Sequence, residues 1–310
     1  RRVLFRSVVV TDARAPTLQT QTMEHLAILE VLNVNNLFVV QNKIDLNTRD
    51  QCVANYKMLC EQLRGTVAEG KPIVPVSAYK NWNLDVVVRQ LFDMCLNIHK
   101  QQQQQCINQP QLQTQSCFAV VRTFDINRPS CEVDNLRGGV LGGTLLGNGG
   151  VAGLQVGDKV EIRPGLCRDD GSYVPLRTTV LSIYSEADAL QHIHAGGLFA
   201  LGTNLDPTLT RADRLCGALA GKPDELPPVV TQLKMKISRT KGNTKPIAIK
   251  QRFVFVLHHL VVQGDIVEQI NSKTFVVKFA HAICTQADRC ILYGVGRDTH
   301  MMGFGEILVN

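Results

Sequence analysis

The chain has 310 residues, 45% of them hydrophobic and 19% charged, with a formal net charge of +6 and a single tryptophan. This is the composition of a globular chain with room for two or three domains, and it excludes a fibre or a disordered polymer. The longest apolar stretch, 253–262, is interrupted by His258 and His259 and falls far short of the roughly 20 residues of a membrane helix, so no membrane association is expected.

Residues 1–7 spell what a translated library adapter would give. They are set aside as a non-native scar, and Val8 is read as entering a strand part way along a domain, which makes the chain N-terminally truncated. From residue 8 to 98, short apolar runs alternate with amphipathic stretches, the pattern of a parallel sheet flanked by helices. Val8, Val9 and Val10 predict a first buried strand, 37–40 a second and 73–76 a third. Leu26, Ile28, Leu29, Val31 and Leu32 predict one helix between them; Cys52, Tyr56, Leu59, Cys60 and Leu63 predict the stripe of another. Leu84, Val87, Val88, Leu91, Phe92 and Cys95 mark a third helix.

The Gln tract 101–105 sits in a polar stretch, 99–115, whose low complexity cannot build a core and predicts a linker. Beyond it, short β-rich segments such as 118–121, 159–162 and 179–183 are separated by Gly, Pro and Asp turns, and a second break falls at 223–228. Two β-barrel domains are expected, 116–226 and 227–310. The ten cysteines form no Cys-x-x-Cys pair and do not pair with the eight histidines, so neither zinc nor a disulfide framework is expected. Scattered thiols without a signal peptide or lipidation motif point to the cytoplasm.

Two short segments carry chemistry. Asn42-Lys43-Ile44-Asp45 follows a buried strand directly, where an α/β nucleotide-binding domain places its ligand-facing loops. A carboxylate there accepts two hydrogen bonds from the N1–H and 2-amino group of guanine, a pair that adenine lacks. Ser77-Ala78-Tyr79 again follows a strand, and the backbone N–H of Ala78 is placed to donate to guanine O6. Two ordered elements, each at a strand end and separated by a helix, predict guanine recognition over a mere pair of strand-to-helix turns. No Gly-x-x-x-x-Gly-Lys-Ser/Thr loop and no Asp-x-x-Gly occurs in the 310 residues. The predicted fold is therefore the C-terminal part of an α/β P-loop-type G domain followed by two β-barrels, with no catalytic residue in this chain and Mg²⁺ expected only with an upstream part. Between Lys234 and Arg252 lie Lys236, Arg239, Lys241, Lys245 and Lys250 with no acidic residue, a run that either tracks a phosphate backbone or is a solvated face.

Gln21-Thr22-Met23-Glu24-His25 resembles the helix start of translational GTPases such as elongation factor Tu. The segments 65–70 and 72–78, together with 122–129, 131–134, 137–140, 160–165 and 206–214, resemble the gamma-subunit family of eukaryotic translation initiation factor two, in order. The Gln tract, an insert at 148–150 and Tyr293-Gly294 depart from the family pattern.

The resemblance implies GTP and GDP as ligands, with Asn42 bracing neighbouring loops and the Lys43 stem along the base plane. It also implies delivery of initiator methionyl-tRNA to the small ribosomal subunit with hydrolysis at start-codon selection, and alpha and beta subunits as partners. Arg128, Arg137, Lys234, Lys236, Arg239 and Lys241 are the candidates for tRNA or partner contact. Arg211, Asp213 and Arg214 are read as a structural ion-pair cluster, and Gly138, Gly139, Gly142 and Gly143 as barrel turns or bulges. Alternatives are a non-enzymatic scaffold binding tRNA or a subunit, and a selenocysteine-specific elongation factor.

Overall fold

The computed structural model describes residues 6–108, 116–128, 131–132, 136–147, 153–239, 247–295 and 301–308. The chain divides into two units, 2–109 and 110–310. In the first, β1 (Arg6–Asp12), β2 (Asn36–Asn42) and β3 (Ile73–Pro75) form a parallel sheet in that order, joined through α1 (Thr20–Val31) and α2 (Arg49–Gln62) and followed by α3 (Leu84–Asn108). Successive side chains of a strand point to opposite faces. Leu37 and Val39 accordingly pack with Leu26 of α1 and with Leu63, while Phe38 and Val40 pack with Val74, Val76 and the α3 residues Val87, Leu91 and Met94. A sheet covered on both faces explains why β2 reads as an unbroken apolar run.

Several expectations shift here. The ladder begins at Arg6, paired with Asn36, because parallel pairing uses backbone groups and is indifferent to side-chain identity. Within α2 the buried positions are Asn55 and Leu59, whereas Tyr56 and Cys60 face outward. Within α3, Val88 and Phe92 are exposed. The helix also continues through the Gln tract to Asn108, so the expected linker begins inside a helix; glutamine is a good helix former, and low complexity does not by itself end one. Residues 109–115 lie outside the described part.

The second unit holds two closed six-stranded barrels. The first contains β4 (Cys117–Phe124), β5 (Val140–Leu146), β6 (Leu154–Gln155), β7 (Lys159–Cys167), β8 (Tyr173–Ser185), β9 (Asp188–Leu190), β10 (His192–Ile193), β11 (Gly196–Thr203) and β12 (Leu219–Gly221). Its wall runs β11-β5-β4-β12-β7-β8 and closes through β8–β11 pairing around Phe118, Leu141, Ile162, Ile183 and Leu201. Gly143 is required there, since a Cβ would lie 1.9 Å from the Ala119 carbonyl oxygen. Of the expected ion-pair cluster, Arg211 and Asp213 pair with residues outside it, Asp125 at 3.0 Å and Arg122 at 3.5 Å, while Arg214 donates to the Thr208 carbonyl at 3.4 Å.

The other barrel, β13 (Val230–Arg239), β14 (Arg252–Leu257), β15 (Leu260–Gln269), β16 (Thr274–Ile283), β17 (Arg289–Gly294) and β18 (Met301–Leu308), runs β13-β16-β15-β14-β17-β18 and closes through β13–β18 pairing. The long apolar stretch at 253–262 proves to be a hairpin, turning at His258 and His259 with Leu257 opposite Leu260. His258 takes φ +54° to make the two-residue turn.

The joint between the barrels is fastened by a buried charge. Glu161 is 2% exposed and accepts from Arg163 Nε at 2.7 Å and Arg177 Nε at 3.3 Å. Arg163 Nη1 in turn donates to the carbonyls of Leu226 and Pro227, at 2.8 and 3.0 Å. Removing one partner of such a pair strands the other in low dielectric, so Arg163→Met is expected to destabilise the chain by about 3 kcal/mol in denaturant titration. Arg177→Met, at the exposed end of the same triad, should have a far smaller effect.

The hairpin turn supplies a pH dependence. Both ring nitrogens of His259 are buried against the backbone of Gly217 and Ala218. Burial, reinforced by His258, pushes its pKa down from 6.5 to about 4. Because the unfolded chain binds the proton more readily, stability is full above pH 6.5 and is lost as pH falls from there to about 4. A loss on the order of 3 kcal/mol is expected across that window, and His259→Leu should flatten it.

Candidate functional site

The C-terminal end of a parallel strand leaves its last backbone groups free to meet a ligand, and β2 ends on the first predicted motif. Asn42 is its last residue; Lys43 then adopts φ +66°, a left-handed conformation that costs a non-glycine residue about 1–3 kcal/mol and persists only where neighbours hold it. What holds it is the Asn42 side chain. Its Oδ1 accepts from Lys43 N at 2.7 Å and from Ala78 N at 3.2 Å, tying the two predicted loops together. A third link, Ile44 N to the Val76 carbonyl at 3.2 Å, runs parallel to it.

Ile44–Leu46 then forms a single 3₁₀ turn with Asp45 in it, half-buried, and Asn47 leads to Thr48, which caps α2 in a reciprocal capping box with Gln51. The Ser77 loop is closed on itself: Ser77 and Trp82 exchange backbone hydrogen bonds at 3.0 and 3.3 Å, and Ser77 Oγ accepts from Lys80 N at 3.1 Å. Tyr79 stands 83% exposed at the tip, with Lys80 Nζ 5.1 Å from its ring centre. Asn42 and Ala78 are thus joined by a direct bond and Ile44 is tied to Val76, with Lys43 and Asp45 on the first loop and Ser77 and Tyr79 on the second. The Ala78 amide is engaged by Asn42, so a ligand oxygen must share that proton or take it over.

Sequence reading missed the loop after β1. Asp12 pairs with Asn42 in register, its carboxylate meets Lys43 Nζ at 2.8 Å, and Ala13 N donates to the Asn42 carbonyl at 2.8 Å. Asn47 Nδ2 and Asn55 Nδ2 fasten the same loop through the carbonyls of Ala13 and Ala15, both at 2.8 Å. Partial burial opposes ionisation of Asp12, but hydrogen bonds from Lys43 and Arg14 outweigh it and hold the carboxyl at about 2. The available signal was position: a Thr-Asp pair at the end of a parallel strand. A cavity of about 240 Å³ lies at this loop, lined by Asp12, Thr17, Thr22, Asn42 and Lys43.

The candidates for tRNA or partner contact are spread over both barrels. Arg128 and Arg137 are exposed and neighbouring, because Asn127 bonds both backbone groups of Arg137, at 2.7 and 2.8 Å. Lys234, Lys236 and Arg239 lie on β13, while Lys241 and Lys245 fall outside the described residues. The basic run is partly neutralised: Lys236 meets Glu306 at 3.7 Å, and Arg252 meets Asp265 through two bonds at 2.8 and 3.0 Å. Among the described residues there is no cluster of His, Cys, Asp or Glu suited to a metal ion, and no helix is long and apolar enough to cross a membrane.

A parallel α/β unit presenting two cross-linked loops at its strand ends, followed by two six-stranded barrels, has the architecture of a translational GTPase. The family model of the elongation factor Tu GTP binding domain matches residues 4–101. Translation initiation factor 2 subunit gamma of Methanosarcina mazei is 39% identical over 256 residues, covering 80% of this chain and 56% of that protein. The subunit of the same name from Methanocaldococcus jannaschii is 33% identical over 315 residues, covering 97% of this chain and 73% of that one. The chain belongs to the gamma-subunit family of translation initiation factor 2. Its span is little more than half of the Methanosarcina relative. The structure of translation elongation factor SelB from Methanococcus maripaludis, in its apo form, matches with a TM-score of 0.71 at 18% identity over 97% of this chain and 64% of that one, a likeness of fold.

Asn42 is the residue on which the geometry turns. Asn42→Ala is expected to lower stability by about 1–2 kcal/mol, since two amides lose their acceptor. It should also make Trp82, the one tryptophan, more accessible to acrylamide quenching.

Proposed function

We propose that this chain binds GTP and GDP by the guanine base, as part of a translation initiation GTPase. In this reading Asp45 accepts from N1–H and the 2-amino group, the Lys43 stem lies along one face of the base, and the Ala78 amide reaches O6. Ser77 and Asn42 shape the loops, and Tyr79 flanks the rim. The observation that supports it is the double hydrogen bond accepted by Asn42 Oδ1, which ties together two loops from adjacent parallel strands. In the whole protein the same domain would deliver initiator methionyl-tRNA to the small ribosomal subunit in the cytoplasm, with alpha and beta subunits attached and hydrolysis at start-codon selection. Arg128, Arg137 and the β13 lysines are the surfaces offered to tRNA or a subunit.

These residues alone supply base recognition and no phosphate chemistry. Phosphoryl transfer depends on a phosphate-cradling backbone, a lysine and Mg²⁺, and no Gly-x-x-x-x-Gly-Lys-Ser/Thr segment occurs in the 310 residues. The 310-residue chain by itself is therefore expected to show no GTP turnover.

Nucleotide selectivity tests the base reading. Wild type should prefer GDP to ADP, because adenine leaves the Asp45 carboxylate unpaired. Asp45→Asn should lose about 100-fold or more in GDP affinity and gain affinity for xanthosine diphosphate, whose 2-oxo group accepts from the new amide. Equal binding of GDP and ADP by wild type, or GDP binding unchanged by Asp45→Asn, would refute it.

A further inference from the structure

We propose that Asp12 is a positioning residue for guanine binding that acts through Lys43: it anchors the ammonium so that the apolar stem is fixed in place before a base arrives. The proposal rests on the guanine reading above and extends it to a loop outside the two predicted segments.

Lys43 is held at both ends. Its backbone sits at φ +66° with its N–H on Asn42 Oδ1 at 2.7 Å, and its Nζ lies 2.8 Å from Asp12 Oδ2. Lys43 and Asp12 both line the cavity of about 240 Å³. Asp12 is itself fixed. Its Oδ1 accepts from Arg14 N at 2.9 Å, Arg14 Nη2 reaches Oδ2 at 3.3 Å, and the loop behind it is secured by Asn47 and Asn55. The carboxylate stays ionised at any pH well above about 2, so the anchor is permanent under ordinary conditions.

With side chains 48% and 24% exposed, the Lys43–Asp12 pair does little for folding, because water screens it. Its effect lies in binding. An unanchored lysine has many rotamers, and ordering it against a base reduces affinity; a lysine already ordered avoids that loss. Because the stem meets the face of the base and not its edge, the benefit is indifferent to the 2-amino group. Inosine diphosphate, which lacks that group, should share it in full.

The test is a double-mutant cycle on the 310-residue chain, with binding of GDP and inosine diphosphate read from Trp82 fluorescence. Asp12→Asn is expected to weaken both nucleotides by the same factor, about 5- to 10-fold, through lost pre-ordering. Lys43→Met should weaken both as well, and adding Asp12→Asn to it should change nothing further. Asp12→Glu should recover part of the loss, and Asp12→Ser is a second removal should the asparagine variant fold poorly. Wild-type affinity in both Asp12→Asn and Asp12→Ser, or penalties that multiply in the double variant, overturns the positioning role and leaves base recognition standing. A wild-type chain that does not favour GDP over ADP overturns the guanine reading and this proposal with it.

Discussion

One side-chain oxygen, Asn42 Oδ1, is the point on which the candidate site depends. It keeps Lys43 in a left-handed conformation and draws the Ala78 amide to the end of the neighbouring strand. Beside it, Ile44 N on the Val76 carbonyl ties the 3₁₀ turn carrying Asp45 to the neighbouring strand, while the Ser77 loop is closed mainly on its own backbone. A parallel sheet makes the arrangement possible, because β2 and β3 point the same way and end side by side. The β1 loop completes it from the other side, through Asp12 on Lys43 and Ala13 on the Asn42 carbonyl.

The barrels follow a separate logic. Each closes its sheet on itself, which removes exposed edges, and each has its own apolar core. Their mutual joint rests on the buried Glu161–Arg163 pair and on the carbonyls of Leu226 and Pro227, at the Pro-rich break between them. A charge buried at a joint adds little net stability but opposes alternative packings, because any geometry that breaks it strands Glu161.

Much of this was legible in sequence. Leu37 through Val40 reads as a doubly covered strand because both faces are apolar, and the positions of Asn42 and Ser77 at strand ends follow from that. The barrels were legible as a change of pattern and as a break near Pro223–Pro228. Other features depend on contacts that periodicity does not carry. Tyr56 and Cys60 fit a helical stripe, yet the helix turns Asn55 inward to bond Gln41 Nε2 at 2.7 Å, a polar contact that an apolar pattern cannot announce. The 253–262 run hides its turn because two histidines take the place of the usual Asn or Gly. Asp12 went unseen because its role depends on Lys43, 31 positions later.

The central claim is that two loops cross-linked by Asn42 read guanine. Its most direct test is the backbone amide of Ala78 in the ¹⁵N-labelled chain, followed by NMR as nucleotide is added. GDP should move that resonance saturably, together with those of Lys43 and Asp45, as the proton is shared between Asn42 Oδ1 and guanine O6. ADP at equal concentration should leave it in place. An Ala78 amide that ignores GDP, or that responds equally to ADP, would contradict the account.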